Sequence, residues 1–297
     1  MTPEGLPQVL SYGGGLDSFA LLVGAVRRDM APDVVAFCDV ADPGEVDPGE
    51  WPSTYRHLRE VVIPFCAAHG IAFEWVDTER YPVRGAPSLF AWLRDRKQIP
   101  VAGPGRLCTV IAKVERFERW LSDRFPGREV EVWVGFEAGE EGRAATDPNA
   151  GSRRRPKPGQ AVRRNRFPLM EWGWCRCRCE DFIRALGLPV PRKSACVFCP
   201  YASKGDWQTL ARELPARFAS ASALEAAKPP TSRGKKLSIM GYRTRPDGSY
   251  RAPPLPVFIE GRYRPRAQAC GVCGRAQRAT KATGCDYLPE GAMIAVS

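Results

Sequence analysis

Along residues 7–140 the apolar positions change period in a repeating order. Val9-Leu10 is a short apolar run. It breaks at a glycine cluster and gives way to Phe19-Ala-Leu-Leu-Val-Gly-Ala-Val26, which reads as a helix. Val34-Val-Ala-Phe-Cys38 is continuously apolar, the pattern of a buried strand, and ends in Asp39 and Asp42. Tyr55 to His69 has helical spacing and stops at Gly70. Ile71-Ala-Phe-Glu-Trp-Val76 reads as a strand, Val110 to Phe125 as a long amphipathic helix, and the alternation Glu129-Val-Glu-Val-Trp-Val-Gly135 as a further strand. Strands and helices in this alternation predict an α/β fold, a mostly parallel, doubly wound sheet with helices on both faces. Ligands of such sheets bind beyond the carboxyl ends of the strands.

The pattern changes after residue 142. Residues 143–165 are rich in Gly, Pro and Arg and carry no apolar period, which predicts a mobile basic loop. Residues 166–227 become helical and cysteine-bearing, with a helix over Asp181 to Gly187. From Lys228 to residue 297 the chain is a basic Pro/Gly-rich tail with short strand-like pieces such as Leu255-Pro-Val-Phe-Ile259. The expected division is therefore 1–142 as nucleotide-binding domain, 143–165 as loop, 166–227 as cysteine-bearing helical region and 228–297 as tail.

Composition narrows the setting. Of the 297 residues, 44% are hydrophobic, enough for a real core, yet no apolar run approaches the roughly 20 residues that span a bilayer. The N-terminus has no basic-then-apolar signal pattern, so a cytoplasmic protein without membrane contact is expected. In a reducing compartment the 11 cysteines are ligands or packed residues before they are disulfides. With only 2 histidines, His57 and His69, both read as surface or packing residues, a metal site must rely on thiolates. The net charge of +11 is concentrated: residues 143–166 hold eight Lys/Arg against one Asp, and residues 228–281 hold thirteen against Asp247 and Glu260. Two such zones point to a polyanion, RNA or single-stranded DNA. Tyr242, Tyr250, Phe258 and Tyr263, interleaved with the second zone, add candidate stacking surfaces.

The glycine cluster between the first strand and helix is Ser11-Tyr-Gly-Gly-Gly-Leu-Asp-Ser18. A strand–glycine turn–helix lets backbone N–H groups and a helix N-terminus face phosphate closely. It resembles the PP-loop of the ATP pyrophosphatase superfamily, whose usual form is Ser-Gly-Gly-x-Asp-Ser. Gly14, Gly15, Asp17 and Ser18 match in place. Gly13 stands where that form has Ser, so one hydroxyl is missing or comes from Ser11.

Cys196-Val-Phe-Cys199-Pro200 has the spacing that lets two thiolates reach one metal centre from a tight turn. Cys179 lies 17 residues upstream, and Cys108 begins the Val110–Phe125 helix. The stretch Arg166-Phe-Pro-Leu-Met170, Cys179, Gly187 to Tyr201, Trp207 and Leu214-Pro-Ala-Arg-Phe218 is similar to the phosphoadenosine phosphosulfate (PAPS) reductase-like, or CysH-like, family. Arg106-Leu-Cys-Thr109 with Lys113, and Gly135 with Glu141-Gly-Arg143, resemble that family's upstream blocks. The resemblance covers about residues 7–225 and implies an adenine nucleotide alpha-hydrolase-like fold. Its relatives include phage and CRISPR-accessory proteins and a DNA phosphorothioation component. By that resemblance Cys108, Cys179, Cys196 and Cys199 hold a [4Fe-4S] cluster, with Zn2+ as the competing centre. Cys175 and Cys177 read as spare thiols, with a sulfur relay as the alternative; Cys38 and Cys66, in apolar segments, read as packed. In the tail Cys270-Gly-Val-Cys273-Gly with Cys285 resembles a zinc knuckle of three thiolates, its fourth ligand to come from Asp286, another part of the chain or water.

Two departures weigh against PAPS reduction. The loop is of the ATP type, and the reductase's C-terminal Glu-Cys-Gly-Leu-His motif is absent. The resemblance implies an ATP-using member that cleaves ATP to AMP and pyrophosphate and adenylates an acceptor, for sulfur transfer to nucleic acid or a nucleotide. Gly13, Gly14 and Gly15 would present N–H groups to phosphate, Ser11 and Ser18 hydroxyls. Asp17 would act through Mg2+ or brace the loop, Lys113 and Arg143 would stabilise charge at the α-phosphate, and the Phe37–Asp39 strand end would flank adenine. The alternatives are a non-catalytic or regulatory accessory of a CRISPR or phage nucleic-acid system, with protein partners in a defence or modification system, and a sulfonucleotide reductase.

Overall fold

The structure, a computed structural model, describes residues 5–41, 48–102, 107–146, 157–232, 237–240, 243–244, 250–251, 253–262 and 268–277; for 243–244, 250–251, 268 and 276–277 it describes the backbone alone. Strands β1 (Gln8–Tyr12), β2 (Val34–Cys38), β3 (Ala72–Val76), β4 (Glu129–Val134) and β5 (Val162–Arg166) form one sheet in the order β3-β2-β1-β4-β5, parallel at every pairing. The expected parallel α/β fold is present. The chain steps outward from β1 to β3, then returns to the other side of β1 as β4. That reversal opens a crevice between the carboxyl ends of β1 and β4.

Period-two side chains build both faces. Leu10, Tyr12, Val35, Phe37 and Trp133 join one core with α1 (Leu16–Val26) and Leu169. Val9, Val34, Ala36, Cys38, Val130 and Val132 join a second with Phe117, Trp120 and Leu121. Helix α1 is apolar nearly all round because it is covered twice, by the sheet and by the helix Arg176–Ala185. Helix α2 runs through Pro52–His57, a π-helical turn Leu58–Val62 and Ile63–Ala68; α3 is Leu89–Asp95. Helix α4 runs through Leu107–Thr109, a π turn Val110–Val114 and Glu115–Arg124. Cys38 and Cys66 are buried in these cores, where burial pushes their thiols up to about 11 and about 12.

Both ends of the expected loop 143–165 belong to regular elements. Arg143 lies in α5 (Glu141–Ala145), and residues 162–165 belong to β5. Val-Arg-Arg-Asn-Arg has no apolar period because β5 is an edge strand, held through backbone pairing to β4 and cross-strand pairs of Arg164 with Glu129 and Arg166 with Glu131. Arg153, Arg154 and Arg155 lie outside the described residues.

The C-terminal helices are α6 (Pro168–Glu171), α7 (Arg176–Ala185), α8 (Lys204–Glu213), α9 (Pro215–Ala226) and α10 (Leu255–Phe258). A third core gathers α8, α9 and α10 with Trp51, Phe90, Ile111 and Phe198. The strand expected at Leu255–Ile259 is α10: its Pro lies in the first turn, where no N–H is needed, and the Leu255 N–H donates to Glu225 at 2.6 Å. Phe258 is buried in this core, so it offers no stacking face to a nucleic acid. The tail carries two short hairpins, β6–β7 (Arg243–Thr244, Tyr250–Arg251) and β8–β9 (Gln268–Ala269, Ala276–Gln277). Among the described residues no helix is long and apolar enough to cross a membrane.

Candidate functional site

The glycine cluster turns directly from β1 into α1 at the crevice. Gly14 has φ +76°, and a β-carbon there would lie 2.8 Å from the Thr54 methyl and 3.3 Å from both Phe37 and Ser194. Only glycine fits both constraints. Gly15 caps α1 and is approached by the Ser194 hydroxyl. Gly135, leaving β4, packs against the Ser18 backbone so closely that a β-carbon would sit 3.1 Å from its nitrogen. The loop thus lies between the β4 end on one side and the 190s segment on the other. Gly13 is exposed and Ser11 is half-buried at the end of β1, while the Ser18 hydroxyl donates back to the Gly15 carbonyl at 3.0 Å.

Asp17, in the first turn of α1, pairs through Oδ2 with Arg176 at 2.7 Å, while its buried Oδ1 has no partner. Burial raises its carboxyl above the usual range, opposed by Arg176 and Arg143 and reinforced by Glu140. Glu137 accepts from the Arg176 backbone N–H, and burial together with Asp17 pushes it up to about 7. Arg143 pairs with Glu140 and stacks on Phe136, 4.2 Å from its ring centroid. The site is therefore two-signed: Asp17, Glu137 and Glu140 interleaved with Arg143 and Arg176.

Phe37 and Asp39 stand behind the loop. Phe37 is fully buried, and the Asp39 carboxylate accepts from Val40 N–H, Ala41 N–H, the Tyr55 hydroxyl and the Trp75 indole. Buried Arg116 donates to the carbonyls of Asp39, Val76, Tyr81 and Ala112, fixing where β2 and β3 end. Lys113 lies in the π turn of α4 and pairs with fully buried Glu50 at 2.8 Å. Burial would lower its ammonium, but the Glu50 carboxylate outweighs that and raises it. The second Glu50 oxygen has no partner.

The cysteines divide differently from the sequence expectation. Cys108, Cys196 and Cys199 are neighbours beside Lys113 and Glu50, and burial first, then Glu50, raises the Cys196 thiol well above its usual range. The Glu50–Cys196 bridge and the Val197 N–H to Gly49 carbonyl bond hold the turn there. Cys179 does not join them. It is fully buried in the α1–α7 core, and burial, then Asp17 and Glu137, raise its thiol well above its usual range. The reason is helical period: Cys179 is on the face of α7 that covers α1. Cys175 and Cys177 are not spare. Their sulfurs and those of Cys270 and Cys273 all lie within 4.8 Å of one another, a four-cysteine group able to hold a metal. Among the described residues no other group of three or more metal-ligating side chains closes so tightly. Backbone N–H groups of Cys273 and Val272 turned toward Cys270 lower its thiol to about 6. Cys285 lies outside the described residues.

Arg176, Glu137, Glu50 and Ser194 were not singled out from the sequence. Arg176 stands between two cysteines and Ser194 two residues before Cys196, the one local signal either carries. A surface cleft of about 560 Å³ along α4, lined by Arg84, Glu115, Arg119 and Asp123 among others, shares no residue with the glycine loop. No protein-family model matches the sequence, and no curated protein matches it. Among solved structures, the U34-tRNA thiolase NcsA from Methanococcus maripaludis with its [4Fe-4S] cluster is similar to this chain at a TM-score of 0.42 and 16% identity, covering 77% of this chain and 74% of that one. A superposition this loose carries neither residue roles nor activity across.

Proposed function

We propose that the chain binds ATP at Gly13–Ser18 and cleaves it between the α and β phosphates, adenylating an acceptor for sulfur transfer to nucleic acid or a nucleotide. The observation that carries this reading is the placement of Gly14, crowded on three sides and in the left-handed region, at the crevice where the sheet order reverses. The acceptor oxygen attacks the α-phosphorus, the bond to the bridging oxygen breaks and pyrophosphate leaves. A sulfur nucleophile then displaces AMP.

The backbone N–H groups of Gly14 and Gly15 meet phosphate at the α1 N-terminus, with Ser11 as the available hydroxyl. The unpartnered Asp17 oxygen, beside Glu137, fits Mg2+. An ion held there would neutralise phosphate charge. Arg143, exposed and next to Asp17, is the cation best placed to meet the α-phosphate. Cys108, Cys196 and Cys199, neighbours beside Lys113 and Glu50, are the thiols that would hold a [4Fe-4S] cluster. Such a cluster supplies a binding site for sulfur. Of the basic zone 143–166, Arg143, Arg164 and Arg166 are already paired with carboxylates, so contact with RNA or single-stranded DNA falls mainly to residues 147–157 and the tail.

A second reading, a nucleotide-binding accessory without turnover, is favoured by one observation: Lys113 and Arg176 are both neutralised by acidic partners. The test is anaerobic protein with α-labelled ATP and a panel of RNAs and single-stranded DNAs at two salt concentrations. AMP and pyrophosphate formation that requires an acceptor supports the enzyme. Tight ATP binding without AMP supports the accessory. Absence of ATP binding removes both.

A further inference from the structure

We propose that Cys175, Cys177, Cys270 and Cys273 form a structural zinc site that pins the β8–β9 hairpin to α7 and, through Arg176, positions Asp17 in the glycine loop. All four thiols are free of disulfides; Cys175, Cys177 and Cys270 are buried and Cys273 is exposed. Four sulfurs about 2.3 Å from a tetrahedral ion stand about 3.8 Å from one another. The cysteines of a [4Fe-4S] cluster sit on separate irons and are on the order of 6 Å apart. A group that closes within 4.8 Å matches the single ion.

The hairpin needs such a tie. It pairs only two residues per strand, too few to persist alone in water. Its turn places both thiols on one side: the Cys270 N–H donates to the Arg275 carbonyl at 2.8 Å, the Gly274 N–H to the Cys270 carbonyl at 2.9 Å, and Gly274 has φ +69°. Two further contacts reach the body of the protein. Arg275 pairs with Asp181 of α7 at 2.7 Å, and the Val272 methyl lies 3.0 Å from where Gly139 would carry a β-carbon. Arg275 and Asp181 are both more than half exposed, and such a pair contributes at most about 1 kcal/mol. Among the described residues, metal coordination by the four cysteines is the strongest tie open to the hairpin.

The position of the ligands explains what is fastened. Cys175 caps α7 and Cys177 follows in its first turn. Between them Arg176 faces the other way, its guanidinium on Asp17 and its N–H on Glu137. Two adjacent ligands on a metal leave the intervening backbone little freedom, so the Arg176–Asp17 geometry is set by the metal.

The test uses the full chain expressed with zinc and analysed for metal by mass spectrometry. The expected result is loss of one zinc per chain in Cys270→Ser and in Cys273→Ser, and full retention in Cys199→Ser and Cys285→Ser. Unchanged zinc in both hairpin variants, or iron and sulfide lost with them, overturns the proposal. Should those variants fail to fold, cobalt(II) loading of the wild type decides. Intense thiolate-to-cobalt absorption with tetrahedral bands, retained in Cys199→Ser, is expected, and its absence refutes the site. Removal of zinc by a chelator should speed hydrogen exchange in residues 13–18 and 135–141; unchanged exchange there overturns the positioning of Asp17. None of these readouts requires ATP to bind, so they stand apart from the proposed activity.

Discussion

His57 makes acid stability a direct test of how α1 is packed. It is 8% exposed, its ring meets the Phe19 ring edge-on at 4.7 Å, and its Nε2 has no hydrogen-bond partner. Burial lowers its pKa from 6.5 to about 4. In the unfolded chain the imidazole takes a proton near 6.5, whereas the folded protein resists it until about 4. Between those values the unfolded state binds more protons, so stability present above pH 6.5 is lost as pH falls toward 4. The whole shift corresponds to about 3 kcal/mol, of which about 2 kcal/mol is lost by pH 5. Urea unfolding of the wild type and of His57→Phe at pH 7.5 and pH 5 isolates this contribution from other titrating groups. With a urea dependence of roughly 3 kcal/mol per M or more for a chain of this size, the wild-type midpoint should drop about 0.5 M further than the variant's. Equal drops in the two proteins would refute the claim that His57 is buried against α1 with its Nε2 unpartnered.

Gly14→Ala should destabilise the protein by about 2 kcal/mol, from left-handed strain and the crowding by Thr54, and abolish ATP binding in calorimetry. Gly13→Ala, whose β-carbon would meet nothing nearer than the Ser18 hydroxyl at 3.9 Å, should leave stability nearly unchanged, and equal damage from both would discredit the loop geometry. Arg116→Met should cost about 3 kcal/mol or more in denaturant unfolding, because it strips hydrogen bonds from four backbone carbonyls; a loss under about 1 kcal/mol would contradict the clamp. Cys199→Ser should lower anaerobic iron and sulfide content while Cys179→Ser leaves it intact. The opposite outcome would restore Cys179 as a ligand.

The parallel sheet was legible because burial on two faces leaves a continuous apolar run, as in Val34–Cys38, and fuller burial of one face leaves alternation, as in Glu129–Val132. The glycine loop was legible because its backbone demand falls on residues adjacent in the chain. Strand β5 was not, since its edge position rests on backbone pairing and Arg–Glu neighbours that no local period records. The grouping of Cys175 and Cys177 with Cys270 and Cys273 was not legible for a related reason. Cys179 follows Cys177 by half a helical turn, which turns it to the α1 core while Cys177 faces the hairpin.

Features legible along the chain are local: strand and helix periods, the Gly13–Ser18 turn, and the C-x-x-C spacings at 196–199 and 270–273. Which distant residues share a site depends on the fold. Asp17 meets Arg176 across 159 residues and Lys113 meets Glu50 across 63. Cys270 and Cys273 meet Cys175 and Cys177 through a hairpin folded back onto α7. Spacing in the chain constrains neighbours within a turn or a helix, whereas side chains from separate elements meet only where the sheet order and the core packing bring those elements together.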